Sequence, residues 1–180
     1  MPTMRLFFAL WPSTRAAKAL ATIAAETAAR LGGRPTREET IHLTLAFLGE
    51  VPAERAPEVI AIGESVGMPA FDLHIDQLGY WRHNHLIWAG CSERPATLVE
   101  FAGGLCRALS EAGFSTDNGK RTFTPHITLV RKIPEPGPKP GLPAIGPITW
   151  ACTEYVLVRS CLSSNGPSYE VLARFPLHAD

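Results

Sequence analysis

Apolar residues fall along this chain in short runs of two kinds. Residues 4–10 (MRLFFAL) form a compact run stopped by Pro12, which predicts a strand. Ser13 then stands as an N-cap before an Ala-rich stretch at helical spacing, which Gly32 and Gly33 end after Leu31. Residues 41–48 are strand-like and closed by Gly49, and a helical stretch follows from about Pro52 to Ser65. Residues 71–80 alternate as a strand does, residues 85–91 read as another, and residues 95–112 predict a helix closed by Gly113. Asn118-Gly119 marks a turn before a further strand. The stretch IPEPGPKPGLPAIGP is too rich in Pro and Gly to form an element, and strands at about 148–158 and 169–175 finish the chain.

The order of these elements repeats. LFFAL, a Gly-ended helix and HLTL (His42 to Leu45) are matched by LIWAG, a Gly-ended helix and HITL (His126 to Leu129). This predicts an internally duplicated α+β protein, one domain over residues 1–180, whose two related lobes meet in a groove. In a strand His42 and Thr44 share one face and Leu43 and Leu45 the other; His126 and Thr128 stand likewise against Ile127 and Leu129. A single His-x-Thr is an ordinary strand fragment, since Thr suits strands. Two copies at the same place in a repeated order point to two half-sites that converge.

The chemistry of such a pair is specific. Two imidazoles titrating near neutrality can hold opposite protonation states, one taking a proton from water and the other giving one to a leaving oxygen. Hydroxyls beside them, with a guanidinium, suit the oxygens of a phosphate. Arg131 is the candidate guanidinium, with Lys132, Lys120 and Arg121 nearby. Its strand parity is wrong for the His-Thr face unless the chain bends after Val130.

Composition narrows the partner. Seventeen basic residues balance seventeen acidic ones, so no global field recruits a long polyanion, and a small ligand or one gripped nucleic-acid end fits better. Cys91, Cys106, Cys152 and Cys161 show no C-x-x-C spacing, which predicts free thiols in a reducing cytoplasm. The N-terminal apolar run is too short for a signal or a membrane span, so no membrane partner is expected.

The stretches HLTLAFLGE, FTPHITLVRK and LVRSCLSSNGPSYEVLARFPL resemble the two-histidine (2H) phosphoesterases, and most closely the RNA 2′,3′-cyclic phosphodiesterases also called 2′-5′ RNA ligases. The likeness runs over nearly the whole chain. It implies a bilobal, pseudo-symmetric α+β fold of duplicated antiparallel sheets, with helices outside and a central cleft. It also implies metal-independent hydrolysis of a 2′,3′-cyclic phosphate, on an RNA end or a nucleotide, to a 2′-phosphomonoester; no cofactor is expected, and the protein is expected to be a monomer. By the same resemblance His42 is the proton donor and His126 the proton acceptor, while Thr44, Thr128 and Arg131 bind the phosphate. The motifs themselves are near-equivalent and do not say which imidazole is the acid. An RNA-end binding module without turnover and the reverse, joining reaction are the competing readings.

Other features are weaker. His83 and His85, with His74 near, lack further spaced ligands for a metal and read as a solvated strand-end pair. Of the aromatics, Phe7 and Trp81 are candidates for a base platform. Lys139, in the Pro/Gly loop, is a candidate edge of the RNA path.

Overall fold

The computed structural model describes residues 1–117, 122–138 and 141–179. The expected turn at Asn118-Gly119 and the cations Lys120, Arg121 and Lys139 lie outside the described residues.

The chain opens with β1 (Thr3–Leu10) and α1 (Thr14–Leu31). The side chain of Ser13 caps α1 by accepting from the backbone of Ala16, and Gly32, at φ 80°, ends it, as the sequence predicts. A short β2 (Arg34–Pro35) leads to β3 (Leu43–Pro52), then α2 (Ala56–Ser65), β4 (Phe71–Ile75), β5 (Gln77–Trp81) and β6 (Leu86–Gly90). After α3 (Ala96–Glu111) come β7 (Ile127–Arg131), β8 (Ile148–Cys152), β9 (Glu154–Ser163) and β10 (Gly166–Pro176).

Seven strands run β10-β9-β1-β3-β7-β6-β5, with β2 added beside β7, and β4 pairs β8 in a separate two-stranded sheet. The architecture is α+β with antiparallel sheets. Two expected strands are each split. Residues 71–80 break at Asp76 and residues 148–158 at Thr153, because the first part of each joins the small sheet and the second joins the large one.

The two halves of the large sheet, β1-β3 and β6-β7, meet through one antiparallel pair, Leu43 opposite Ile127. The helices are exchanged between halves: α1 follows β1 but packs on β2 and β7, whereas α3 follows β6 and packs on β3. Leu20 and Ala24 of α1 and Leu98, Phe101, Leu105 and Leu109 of α3 thus join Leu43, Leu45, Ile127 and Leu129 in one buried core. Burying these side chains is the main driving force for joining the halves. The opposite face of the strands carries a smaller cluster, Phe7, Ala9, Val156 and Val158, and is otherwise left for the cleft.

Candidate active site

Directly opposed residues of an antiparallel pair share a face. Leu43 and Ile127 are both buried in the core, so the residues flanking them point the other way. Extending that register by one residue sets His42 beside Thr128 and Thr44 beside His126. All four line a cleft of about 540 Å³.

Arg131 lines the same cleft, and a bulge is what puts it there. Trp88 lies opposite Thr128 and Ile87 opposite Val130, so β7 has one extra residue at Leu129. Leu129 and Val130 are consecutive and both fully buried, which turns Arg131 onto the His-Thr face. The first half repeats the device. Ala9 lies opposite Thr44 and Phe8 opposite Ala46, giving an extra residue at Leu45, with Leu45 and Ala46 both buried. Strict alternation, which placed Ala46 and Val130 outward, therefore fails at the same step in both motifs.

With both bulges aligned, the lining residues pair off across the pseudo-two-fold axis. His42 matches His126 and Thr44 matches Thr128; then Phe47 matches Arg131 and Phe7 matches Leu86, while Arg5 on β1 and Asn84 in the 3-10 turn before β6 also line the cleft but lie beyond the matched ladder. The first two pairs are identical and the last two are not. Trp81, Ser160, Leu162, Pro167 and Tyr169 complete the wall. Among the described residues the lining contains two arginines and no carboxylate, so a chain of zero net charge presents a cationic cleft.

Each imidazole is fixed the same way. Nδ1 of His42 lies 2.7 Å from the carbonyl oxygen of Thr40, and Nδ1 of His126 lies 2.9 Å from that of Thr124. A carbonyl only accepts, so Nδ1 carries the hydrogen and Nε2 is left to the cleft, as an acceptor when neutral and a donor when protonated. The motif is in effect Thr-x-His-x-Thr-Leu in both halves; the leading Thr is the signal that sequence reasoning missed.

His42 is enclosed by rings: Trp11 stacked at 5.1 Å, Phe7 at 5.0 Å and Tyr169 edge-on at 5.3 Å. Its pKa is lowered to about 4, first by burial and then by the charges of Arg131 and His126, against the partial support of the Thr40 carbonyl. His126 meets Trp81 at 4.5 Å; burial, and then Arg131, hold it below the ordinary histidine value, opposed by the Thr124 carbonyl. Burial raises the Tyr169 phenol, while Arg131, Arg5 and Arg37 pull it down.

Other sequence candidates separate. Phe7 and Trp81 both reach the cleft. His83 lies in a 3-10 turn (Arg82–Asn84) and His85 follows it in a left-handed conformation at φ 53°, so they are not the strand-end pair expected. Among the described residues no group of three or more His, Cys, Asp or Glu side chains is gathered as a ligand set. Lys132 sits just past β7 at φ 58° and is absent from the cleft lining. No disulfide joins Cys91, Cys106, Cys152 or Cys161. Among the described residues no helix is long and apolar enough to cross a membrane.

A duplicated α+β sheet with a His-Thr pair from each half facing one cationic cleft defines a phosphoesterase of the two-histidine class. The family model described as LigT like Phosphoesterase matches residues 10–88. The RNA 2′,3′-cyclic phosphodiesterase of Escherichia coli is 34% identical over 147 residues, covering 81% of this chain and 80% of its own. That of Thermus thermophilus is 31% identical, covering 98% of this chain and 92% of its own. The crystal structure of Escherichia coli LigT complexed with 3′-AMP superposes with a TM-score of 0.87 at 30% identity, covering 98% of this chain and 99% of that one. The chain belongs to the LigT-like, two-histidine phosphoesterase family and is a hydrolase.

Proposed function

We propose that this protein is an RNA 2′,3′-cyclic phosphodiesterase, opening the terminal cyclic phosphate of RNA or of a cyclic nucleotide to a 2′-phosphomonoester. The observation that carries the reading is the pair of imidazoles, each tied at Nδ1 to a carbonyl and open at Nε2 to one cationic cleft. Relatives across 98% and 81% of the chain bear that activity in their names.

In the reaction, water attacks phosphorus opposite the ribose 3′-oxygen. His126 Nε2 takes the water proton as the P–O bond forms. His42, protonated at Nε2, gives its proton to the 3′-oxygen as the P–O3′ bond breaks, leaving a 3′-hydroxyl and a 2′-phosphate. Thr44 and Thr128 donate to the non-bridging oxygens, and Arg131 balances the charge that grows on them in the transition state. Both imidazoles rest neutral near pH 7, so the phosphate anion's arrival favours the protonated form that His42 needs. No metal takes part. Residues 1–180 act as one bilobal catalytic unit and as a monomer, since one chain supplies both half-sites, and cysteines outside any disulfide suit a reducing cytoplasm.

The test is product analysis on a short RNA with a 2′,3′-cyclic end, in EDTA, with His42→Ala and His126→Ala alongside. A 2′-phosphate product is expected, with each variant slowed at least about 10²-fold, the usual weight of a general acid or base. An intact cyclic phosphate would leave only a binding module, and a joined strand would mark the reverse reaction.

A further inference from the structure

The pseudo-symmetry breaks where charge is concerned. The second half has Arg131 where the first has Phe47, and Arg5 stands further out on β1, where the second half has left its strand for the 3-10 turn Arg82–Asn84. Arg5 lies over the Phe47 ring, its guanidinium carbon 4.7 Å from the centroid. Among the described residues Arg5 makes no ion pair with a carboxylate. Glu50, opposite it in the ladder, instead accepts from the Thr3 hydroxyl at 2.6 Å. Arg5 pairs across β1 and β9 with Ser160, which lines the cleft beside Leu162, an apolar side chain left 72% exposed at the rim. This wall comes from the β9-β10 hairpin; in the second half β5 is the sheet's edge, and among the described residues no strand takes the place of β10.

A planar guanidinium with its donors unclaimed and one face held by an aromatic ring suits the paired oxygens of a phosphate. A ring and an exposed apolar side chain beside it suit the face of a base. Alternate residues of a strand lie about 6.6 Å apart, so Arg5 stands one such step beyond Phe7, whose ring packs on His42 at 5.0 Å. That is the reach of about one nucleotide from the reacting phosphate.

We infer that Arg5, with Phe47, Ser160 and Leu162, forms a second anion subsite, which binds the phosphodiester joining the terminal nucleotide to the one before it. The inference rests on the cyclic-phosphodiesterase reading and adds that the protein selects oligonucleotide ends over cyclic mononucleotides. The pairing with Phe47 sets the direction in which RNA enters a cleft whose catalytic residues are themselves symmetric.

The experiment compares kcat/KM on a dinucleotide with a 2′,3′-cyclic end and on the matching 2′,3′-cyclic mononucleotide, for the native protein, Arg5→Ala and Arg5→Lys. The native protein is expected to prefer the dinucleotide at least tenfold. Arg5→Ala should cost the dinucleotide at least tenfold more than the mononucleotide, mostly in KM, and Arg5→Lys should restore part of the preference. Equal losses on both substrates, or no native preference, would overturn the subsite and leave the activity standing. Absence of turnover on either substrate would sink the activity instead. Fluorescence binding of the 2′-phosphorylated dinucleotide against the 2′-mononucleotide then reads the subsite alone: the same Arg5-dependent tenfold preference supports it, and equal affinities overturn it.

Discussion

Trp11 lies flat against His42, with ring centroids 5.1 Å apart and planes 9° from parallel. It is one of the groups that keep water from the imidazole, and burial is the main reason the His42 pKa falls to about 4. Removing the indole should therefore raise that pKa toward the ordinary value. In Trp11→Ala, NMR titration of the His42 ring is expected to show a rise of about one unit or more, with His126 moving less. An unchanged titration would mean that Phe7 and Tyr169 alone enforce the burial.

Arg131 acts on both imidazoles at once, lowering His42 and His126 by its charge. Both free-enzyme pKa values lie below 6.5, so kcat/KM should decline on the alkaline side of a limb below pH 6.5, whichever imidazole is the acid. Arg131→Gln removes a positive neighbour and raises both values. Its alkaline limb should move to higher pH while the rate falls by about 10²–10³, the scale for losing one donor to a developing oxyanion. A rate loss without the shift would place Arg131 on the phosphate but outside the electrostatics of the imidazoles.

The same depressed values tie stability to acid. Unfolding frees each imidazole to bind a proton at its ordinary pKa, so between pH 6.5 and about 4 the unfolded chain binds more protons than the native one at His42. Stability is full above pH 6.5 and falls as the pH drops through that window, by at most about 1.4 kcal/mol per unit per histidine. Urea melts at pH 7.0, 6.0 and 5.0 should show the decline before most carboxylates titrate, and His42→Gln should flatten it. A native slope unchanged by that substitution would put the acid sensitivity elsewhere.

Much of this site was legible because its signal is local. His42, Thr44, His126 and Thr128 follow from alternation and from a repeated order of elements, and the strands deliver them to one face. Arg131 was legible as a candidate guanidinium from its nearness to His126, but its strand parity pointed it off the His-Thr face. Its placement needed the bulge at Leu129, and two buried residues in a row, Leu-Val or Leu-Ala, look in sequence like any apolar run. Arg5, Phe47 and Tyr169 were not legible as site residues. They arrive from β1, the far end of β3 and β10, and only the pairing of distant strands brings them together. The strand breaks at Asp76 and Thr153 were missed for a related reason: alternation continues through each break while hydrogen-bond partners change sheet.

The support behind His126 is steric and can be tested by one methyl group. Gly79 lies opposite Trp88 in the β5-β6 ladder, and a Cβ on it would collide with Cζ2 of that indole. Trp88 packs against Trp81 at 5.4 Å, and Trp81 meets His126 at 4.5 Å. The added methyl must therefore push the indole or spread the strands, and the indole leads through Trp81 to the imidazole. Gly79→Ala is expected to cost about 1–3 kcal/mol, as overpacking does, and to lower kcat with a changed tryptophan emission. Gly146→Ala, where nothing lies within 4 Å, is the control and should stay within about 0.5 kcal/mol of the native protein. Loss of stability with kcat intact would show that the tryptophan pair supports the sheet and leaves His126 to its Thr124 carbonyl alone.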